Sequence, residues 1–234
     1  CITEAFDEKY GSVQQAMTVW KDYMVDMGFG YALGVDLPGE VRGMIPNAQY
    51  YDKLYNKSWN GLTIISNSIG QGEITLTPLQ IANLGATIAN RGYYITPHVV
   101  KQIEGAEIDS LYSKKHYVNV SRENYELVVE GMRQSVLNGT CTAAATNLYE
   151  VCGKTGTAQN RGKDHSVFMG FAPRENPQIA IAVYVENGGF GATYGVSIGA
   201  LMMEQYITGT LSEESEKKAE YYANRSIDYG DQTR

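Results

Sequence analysis

Three cysteines and three histidines are all the thiol and imidazole chemistry that 234 residues carry. An odd thiol count makes no self-contained disulfide framework. Cys141 and Cys152 stand 11 positions apart and could pair if brought together, yet the thiols read as packing residues. His98, His116 and His165 are isolated, no Cys/His group has metal-ligand spacing, and no metal or other cofactor is expected. No stretch is long and apolar enough to cross a bilayer. The opening Cys1-Ile2-Thr3-Glu4 lacks the basic start and apolar run of a signal peptide. Positive charge is in deficit: 19 Lys+Arg face 26 Asp+Glu, and a net charge of -7 argues against a nucleic-acid partner.

What is present is a 43% hydrophobic composition, enough to bury the core of one sizeable domain with or without an appendage. The 18 tyrosines and 25 glycines point to a loop-rich surface with polar aromatic tips. Val13, Ala16, Met17, Trp20, Tyr23, Met24 and Met27 recur at helical spacing, which predicts an amphipathic helix over 12–27 stopped by Gly28 and Gly30. Residues 31–62, rich in Gly, Pro, Asn and Tyr, read as a long surface excursion. Thr77-Pro78-Leu79-Gln80 is a helix start, with Thr77 as cap and Gln80 reaching back to it. That helix runs through Ile88 to an exit at Asn90-Arg91-Gly92. Another extends from a cap at Ser121 to Asn138-Gly139.

After residue 150 the period becomes that of strands. Residues 151–158, 165–172 and 178–186 are expected to form an antiparallel meander, followed by a helix over about 194–208. In the third strand Ile179, Ile181, Val183 and Val185 alternate with Ala180, Ala182 and Tyr184, which predicts cover on both faces with a helix close to the alanines. The fold class is α+β, an antiparallel sheet flanked by helices. Residues 1–208 are assigned to the domain; 209–234 are a polar C-terminal tail, either a frayed helix or disordered.

The chemistry concentrates in Lys154-Thr155-Gly156-Thr157-Ala158-Gln159. On a strand, Lys154 brings positive charge, Thr155 and Thr157 offer hydroxyls from one face, and Gly156 lets a ligand lie against the backbone. Such a strand suits a carboxylate. Nearby, His165 reads as supporting the strand and Asp164 as a turn residue, while Gln71 and Glu73 lie in a glycine-rich stretch that reads as loop packing.

The Lys154–Gln159 run, with Asp164-His165-Ser166-Val167-Phe168-Met169-Gly170-Phe171-Ala172-Pro173 after it, resembles the third active-site box of penicillin-binding protein transpeptidases and the strand that follows it. Phe29-Gly30-Tyr31-Ala32-Leu33-Gly34-Val35-Asp36-Leu37-Pro38-Gly39-Glu40 is similar to the loop after the second box of class B members. Ser68-Ile69-Gly70-Gln71-Gly72-Glu73-Ile74-Thr75-Leu76-Thr77-Pro78-Leu79-Gln80 resembles the approach to their large helical subdomain. Asn90-Arg91-Gly92, Pro97-His98 and Gly139-Thr140 fit the same order, and Ile45-Pro46-Asn47 with Tyr50-Tyr51 resembles the elongation-type branch.

The resemblance implies a peptidoglycan D,D-transpeptidase that cross-links stem peptides ending in D-Ala-D-Ala through an acyl-serine and is trapped by β-lactams. It implies Lys154, Thr155, Gly156 and Thr157 as the site, with Lys154, Thr155 and Thr157 binding substrate and the Thr157 N–H serving the oxyanion. Partners would be proteins of the cell-wall elongation complex, at the periplasmic face of a bacterial inner membrane. The first two boxes have no good match. Ser215-Glu216-Lys217-Lys218 has the Ser-x-x-Lys pattern but follows the third box, and Ser58-Trp59-Asn60 has the Ser-x-Asn pattern but follows the loop that should succeed it. Cys1 is therefore expected to begin just past the second box of a longer protein, whose nucleophile and membrane anchor lie upstream; this piece is expected to be soluble and inactive alone. A non-catalytic β-lactam sensor or scaffold module of the same fold is the rival reading. A β-lactamase or carboxypeptidase shares the third box, but the long stretch between Pro38 and Pro97 fits it poorly.

Overall fold

The computed structural model of the protein describes residues 2–227 and 229. In chain order the elements begin with α1 (Ile2–Tyr10), α2 (Val13–Asp26), α3 (Ala48–Leu54), α4 (Gly61–Ser68) and α5 (Pro78–Ala89). Short strands β1 (Tyr93–Ile95) and β2 (Lys115–Tyr117) precede α6 (Arg122–Asn138). Then come β3 (Cys152–Ala158), β4 (His165–Ala172), β5 (Ile179–Val185), α7 (Gly195–Thr208) and α8 (Glu213–Ala223). They divide into two compact units: Cys1–Gln80 with Ile95–Asn119, and Ile81–Tyr94 with Val120–Arg234.

The first unit is built on the amphipathic helix that the sequence announces. Ser12 caps α2, accepting from the Gln15 N–H at 3.2 Å. Its Ala16 and Met17 are buried with Tyr51 and Ile64, ringed by Phe6, Tyr10, Trp20 and Trp59. That cluster corrects the reading of 31–62 as a surface excursion. Within it Asn47 caps α3 by accepting from the Tyr50 N–H at 2.8 Å. Tyr51 of the same stretch is fully buried. The α1 helix was not foreseen; Phe6 and Tyr10 anchor it to the same cluster.

Thr77 and Gln80 form the reciprocal cap expected of them: the Gln80 N–H donates to Thr77 Oγ1 at 3.2 Å, and the Thr77 N–H donates to Gln80 Oε1 at 3.1 Å. The other end of the Gln80 amide does more than cap. Its Nε2 lies 3.0 Å from the Arg42 carbonyl oxygen, 3.2 Å from that of Tyr31 and 3.3 Å from that of Gly28. One buried amide thus gathers three loop segments whose carbonyls would otherwise be desolvated without donors.

The second unit is an antiparallel sheet of order β3-β4-β5 with β3 at an edge. Its register pairs Thr155 with Phe168 and Thr157 with Ser166. Alternation along β4 sends Phe168 into one core with Val183, Val196 and Met203, and Phe171 into another with Ile88, Val129 and Met132. The sheet is covered by α7 on one face and by α5 and α6 on the other, the α+β arrangement that the sequence implies. Close packing at an alanine is met at Ala180: a Cβ added to Gly85 would sit 3.7 Å from the Ala180 Cβ. Cover fails at Tyr184, which is exposed with its ring centroid 5.2 Å from that of His165.

Phe168 is the centre of this unit. Its ring is fully buried, and a Cβ added to Gly153, Gly170 or Gly199 would come within 2.6 Å of it, while one on Gly195 would stand 3.1 Å from the Phe168 Cβ and backbone nitrogen. Three glycines therefore bring strands and helix onto one aromatic ring at closest packing. Of the two alternatives for 209–234, the chain forms a helix, α8, capped by Ser212 and laced by Glu213–Lys217 and Glu214–Lys218 pairs. Residues 228 and 230–234 of that tail, like Cys1 at the other end, lie outside the described residues.

Candidate active-site groove

Strand alternation places Thr155 and Thr157 on one face of β3 and Lys154 on the other. Beside the two threonines lies a groove of about 440 Å³, lined by Thr140, Thr155, Thr157 and residues 190–193. The strand face is not plugged by core. Thr155 Oγ1 lies 2.7 Å from Thr140 Oγ1, so one hydroxyl donates to the other. Two hydroxyls carry two protons; one is used between them and the other remains for a ligand. Thr157 Oγ1 accepts the Gly191 N–H at 3.4 Å, which leaves its own proton free as well.

The opposite wall is the turn after β5. Ser166, fully buried on β4, donates to the Gly191 carbonyl at 3.1 Å and accepts the Gly195 N–H at 3.1 Å, pinning both ends of the wall. Gly191 runs so close to the strand that a Cβ there would meet the Gly156 carbonyl oxygen at 2.5 Å and the Val167 carbonyl oxygen at 2.7 Å. Phe190, 73% exposed, stands at the rim.

Lys154 is exposed and does not line this groove; its ammonium donates to the Thr155 carbonyl. Gly156, between the threonines, faces Val167 of β4, 3.3 Å from where its Cβ would stand. Thr140, Ser166 and Gly191 escaped the sequence reading as site residues. The signal for Gly191 was present in the glycines at 188, 189 and 191, which mark a close backbone approach.

Other expected residues take supporting places. His165 Nδ1 accepts the Asn187 N–H at 3.0 Å, and Asp164 holds the turn by accepting the Gly189 N–H on its carbonyl at 2.8 Å. Glu73 accepts from the Tyr51 and Tyr55 hydroxyls, each at 2.8 Å, as a loop-packing residue does. Ser215 donates to Glu204 at 2.5 Å, Lys218 pairs with Glu214, and both line a different cavity. Asn60 caps α4 and Trp59 donates to Asp52. Cys141 and Cys152 are buried free thiols, as packing residues are, and burial pushes the Cys152 thiol up to about 11. Among the described residues no three His, Cys, Asp or Glu side chains converge as metal ligands, and no helix is long and apolar enough to cross a membrane.

An open edge strand with paired threonines, set in a helix-covered antiparallel sheet, is matched by one family model. The model of the penicillin binding protein transpeptidase domain fits residues 12–207. The chain belongs to this family. It is 36% identical over 199 residues to the peptidoglycan D,D-transpeptidase MrdA of Acinetobacter baumannii, covering 77% of this chain and 30% of that protein. Among solved structures, Pseudomonas aeruginosa PBP2 in complex with WCK 5153 superposes with a TM-score of 0.72 at 34% identity, covering 86% of this chain and 45% of that one. Helicobacter pylori PBP2 in its complex with MreC superposes with a TM-score of 0.67 at 25% identity, covering 86% and 40%. The class B, elongation-type membership expected from the sequence accords with these matches. The chain spans about a third of the length of the MrdA relatives, 30% to 36%.

Proposed function

We propose that this chain supplies the carboxylate-binding side of a peptidoglycan D,D-transpeptidase centre. The observation that carries the proposal is the pair of threonine hydroxyls with protons left over, facing a groove along an open strand edge. The stem peptide lies along β3, adding a strand to the sheet, and its terminal D-Ala carboxylate accepts from Thr155 and Thr157. Lys154, from the other face, raises the positive potential around the strand. The Thr157 N–H is directed at the oxyanion that forms when a serine attacks the penultimate carbonyl. D-Ala then leaves, and an amine of a neighbouring strand takes the acyl group from the ester. β-Lactams enter as mimics of the donor peptide.

The serine and its lysine base are not among these residues, on this reading, because no Ser-x-x-Lys precedes the Lys-Thr-Gly strand and Ser58-Trp59-Asn60 follows the loop that should succeed a second box. The chain by itself therefore forms no acyl-enzyme. The working protein acts at the periplasmic face of the inner membrane, held there by an anchor outside these residues, among elongation-complex proteins; the MreC complex of the Helicobacter pylori protein supports that association.

The test is a titration of the 234-residue chain with an N-acyl-D-Ala-D-Ala peptide and with its C-terminal amide, followed by NMR. Saturable shifts at Thr155 and Thr157 are expected for the acid, with affinity for the amide at least about tenfold weaker, the loss expected of a charge-assisted bond. Equal affinity for both would overturn carboxylate recognition. Fluorescent penicillin should leave no covalent label on the chain; a stable adduct would show that the nucleophile lies within it.

A further inference from the structure

The polar segment after α7 is bound back onto one wall of the groove and onto the β3–β4 turn. Glu204 on α7 fixes its start, accepting the Ser212 N–H at 2.7 Å and the Ser215 hydroxyl at 2.5 Å. From there α8 runs to the wall formed by residues 190–194. The Tyr222 hydroxyl donates to the Thr193 carbonyl at 3.3 Å, and its ring meets the buried Tyr194 edge-on at 5.8 Å. The Arg225 guanidinium stands 5.5 Å from the Tyr194 ring and 5.3 Å from that of Tyr221, and donates to the Tyr221 hydroxyl. Beyond it, the Tyr229 carbonyl oxygen reaches 2.9 Å from the place of a Cβ on Gly162, in the β3–β4 turn. One segment touches the loop facing Thr155 and Thr157 and also the turn that closes β3.

We propose that residues 212–227 with Tyr229 are a strap that sets the position of the Phe190–Thr193 wall, with Tyr222 and Arg225 as positioning residues for carboxylate binding in the groove. The physical case is the direction from which that wall is held. Ser166 holds its two ends from within, whereas Thr193 and Tyr194 are held from outside by Tyr222 and Arg225. Phe190 and Ala192 are exposed. A loop with few buried contacts opens readily, and each added tether lowers the open population. The strap thereby trades wall mobility for a preorganised groove, so its effect appears as affinity. The proposal rests on the carboxylate-binding reading above.

Amide hydrogen exchange and peptide titration on the full 234-residue chain separate the two ideas. Tyr222→Phe removes only the hydroxyl tether, Arg225→Ala removes the cation between two rings, and Lys217→Ala on the exposed side of α8 is the control. Arg225→Ala is expected to speed exchange at 189–194 about tenfold, and Tyr222→Phe several-fold, with strand amides of β4 unchanged. Acyl-D-Ala-D-Ala affinity should fall in the same order, and Lys217→Ala should match the parent in both readouts. Unchanged exchange at 189–194 overturns the strap, as does accelerated exchange with undiminished peptide affinity. Accelerated exchange in a chain whose parent shows no saturable peptide shifts supports the strap as a mechanical tie and overturns the carboxylate reading instead. If Arg225→Ala unfolds, seen as loss of protection in β4 as well, Tyr222→Phe decides alone.

Discussion

Gly191 passes Gly156 so closely that a Cβ on the former would stand 2.5 Å from the carbonyl oxygen of the latter. That contact sets the width of the groove, because Gly191 also gives its N–H to Thr157 at 3.4 Å.

Gly191→Ala is therefore expected to push the 190–193 wall off β3. Overpacking of this kind costs roughly 1–3 kcal/mol. A lowered thermal midpoint should accompany loss of peptide binding at Thr155 and Thr157, whereas Gly189→Ala, with nothing near its Cβ but φ at +77°, should strain the turn and leave the wall against β3. Chemical shifts of Thr157 distinguish the two variants, and an undisturbed Thr157 in Gly191→Ala would contradict the contact.

Gln80→Leu tests the amide that gathers Gly28, Tyr31 and Arg42. It removes the acceptor of the Thr77 N–H, one half of the reciprocal cap, and strands buried carbonyls, for an expected cost of about 1–3 kcal/mol. Thr77→Ala, which removes one cap bond, should cost about 1 kcal/mol. Urea denaturation followed at Trp20 and Trp59 measures both, and equal costs would mean that the three carbonyl contacts contribute nothing.

Glu204 is expected to make the seating of α8 pH-dependent. Burial raises its pKa, but hydrogen bonds from Ser215 and Ser212 and the charge of Lys218 outweigh burial and hold it below 4.5. A depressed folded value means that the stabilisation is complete above about pH 4.5 and is lost as pH falls through the folded pKa. Tyr149, pushed up to about 12 by burial and by Glu204, stays neutral throughout. Exchange at 212–224 should thus accelerate in acid before that of β4 does, and Glu204→Gln should remove that pH dependence.

Cys141 and Cys152 should resist iodoacetamide in the native chain. Both are fully buried, and at about 11 the Cys152 thiol carries almost no thiolate at neutral pH. Mass spectrometry is expected to find them modified only after unfolding. Native labelling at Cys152 would mean that the core around Phe171 opens far more often than its packing implies, and at Cys141 that the core around Phe168 does.

Much of this architecture is legible in residue spacing. Thr77 and Gln80 announce their cap because both partners lie within one turn, and the alternation of residues 179–185 reports a strand covered over most of its length. Local signals fail where a residue's partner is remote. Asn47 and Tyr51 look like loop residues until Met17 and Ile64 arrive to bury the tyrosine. The polar composition of α8 hides a helix held by Glu204 and Tyr194, which are distant in sequence. At the candidate site, Thr155 and Thr157 stand out because the strand itself presents them. Thr140, Ser166 and Gly191 do not, since each acquires its role only when the turn after β5 folds back.

The ring of Phe168 has a consequence for how this groove can change. It acts as a spacer, since Gly153 of β3, Gly170 of β4 and Gly199 of α7 all bear on it, and its size therefore dictates how far that helix stands from the sheet. The turn entering α7 carries the outer wall, so a bulkier side chain at Gly199 or Gly195 would displace that wall from behind. Altered fit for a peptide or an antibiotic can thus arise at positions that no ligand ever reaches.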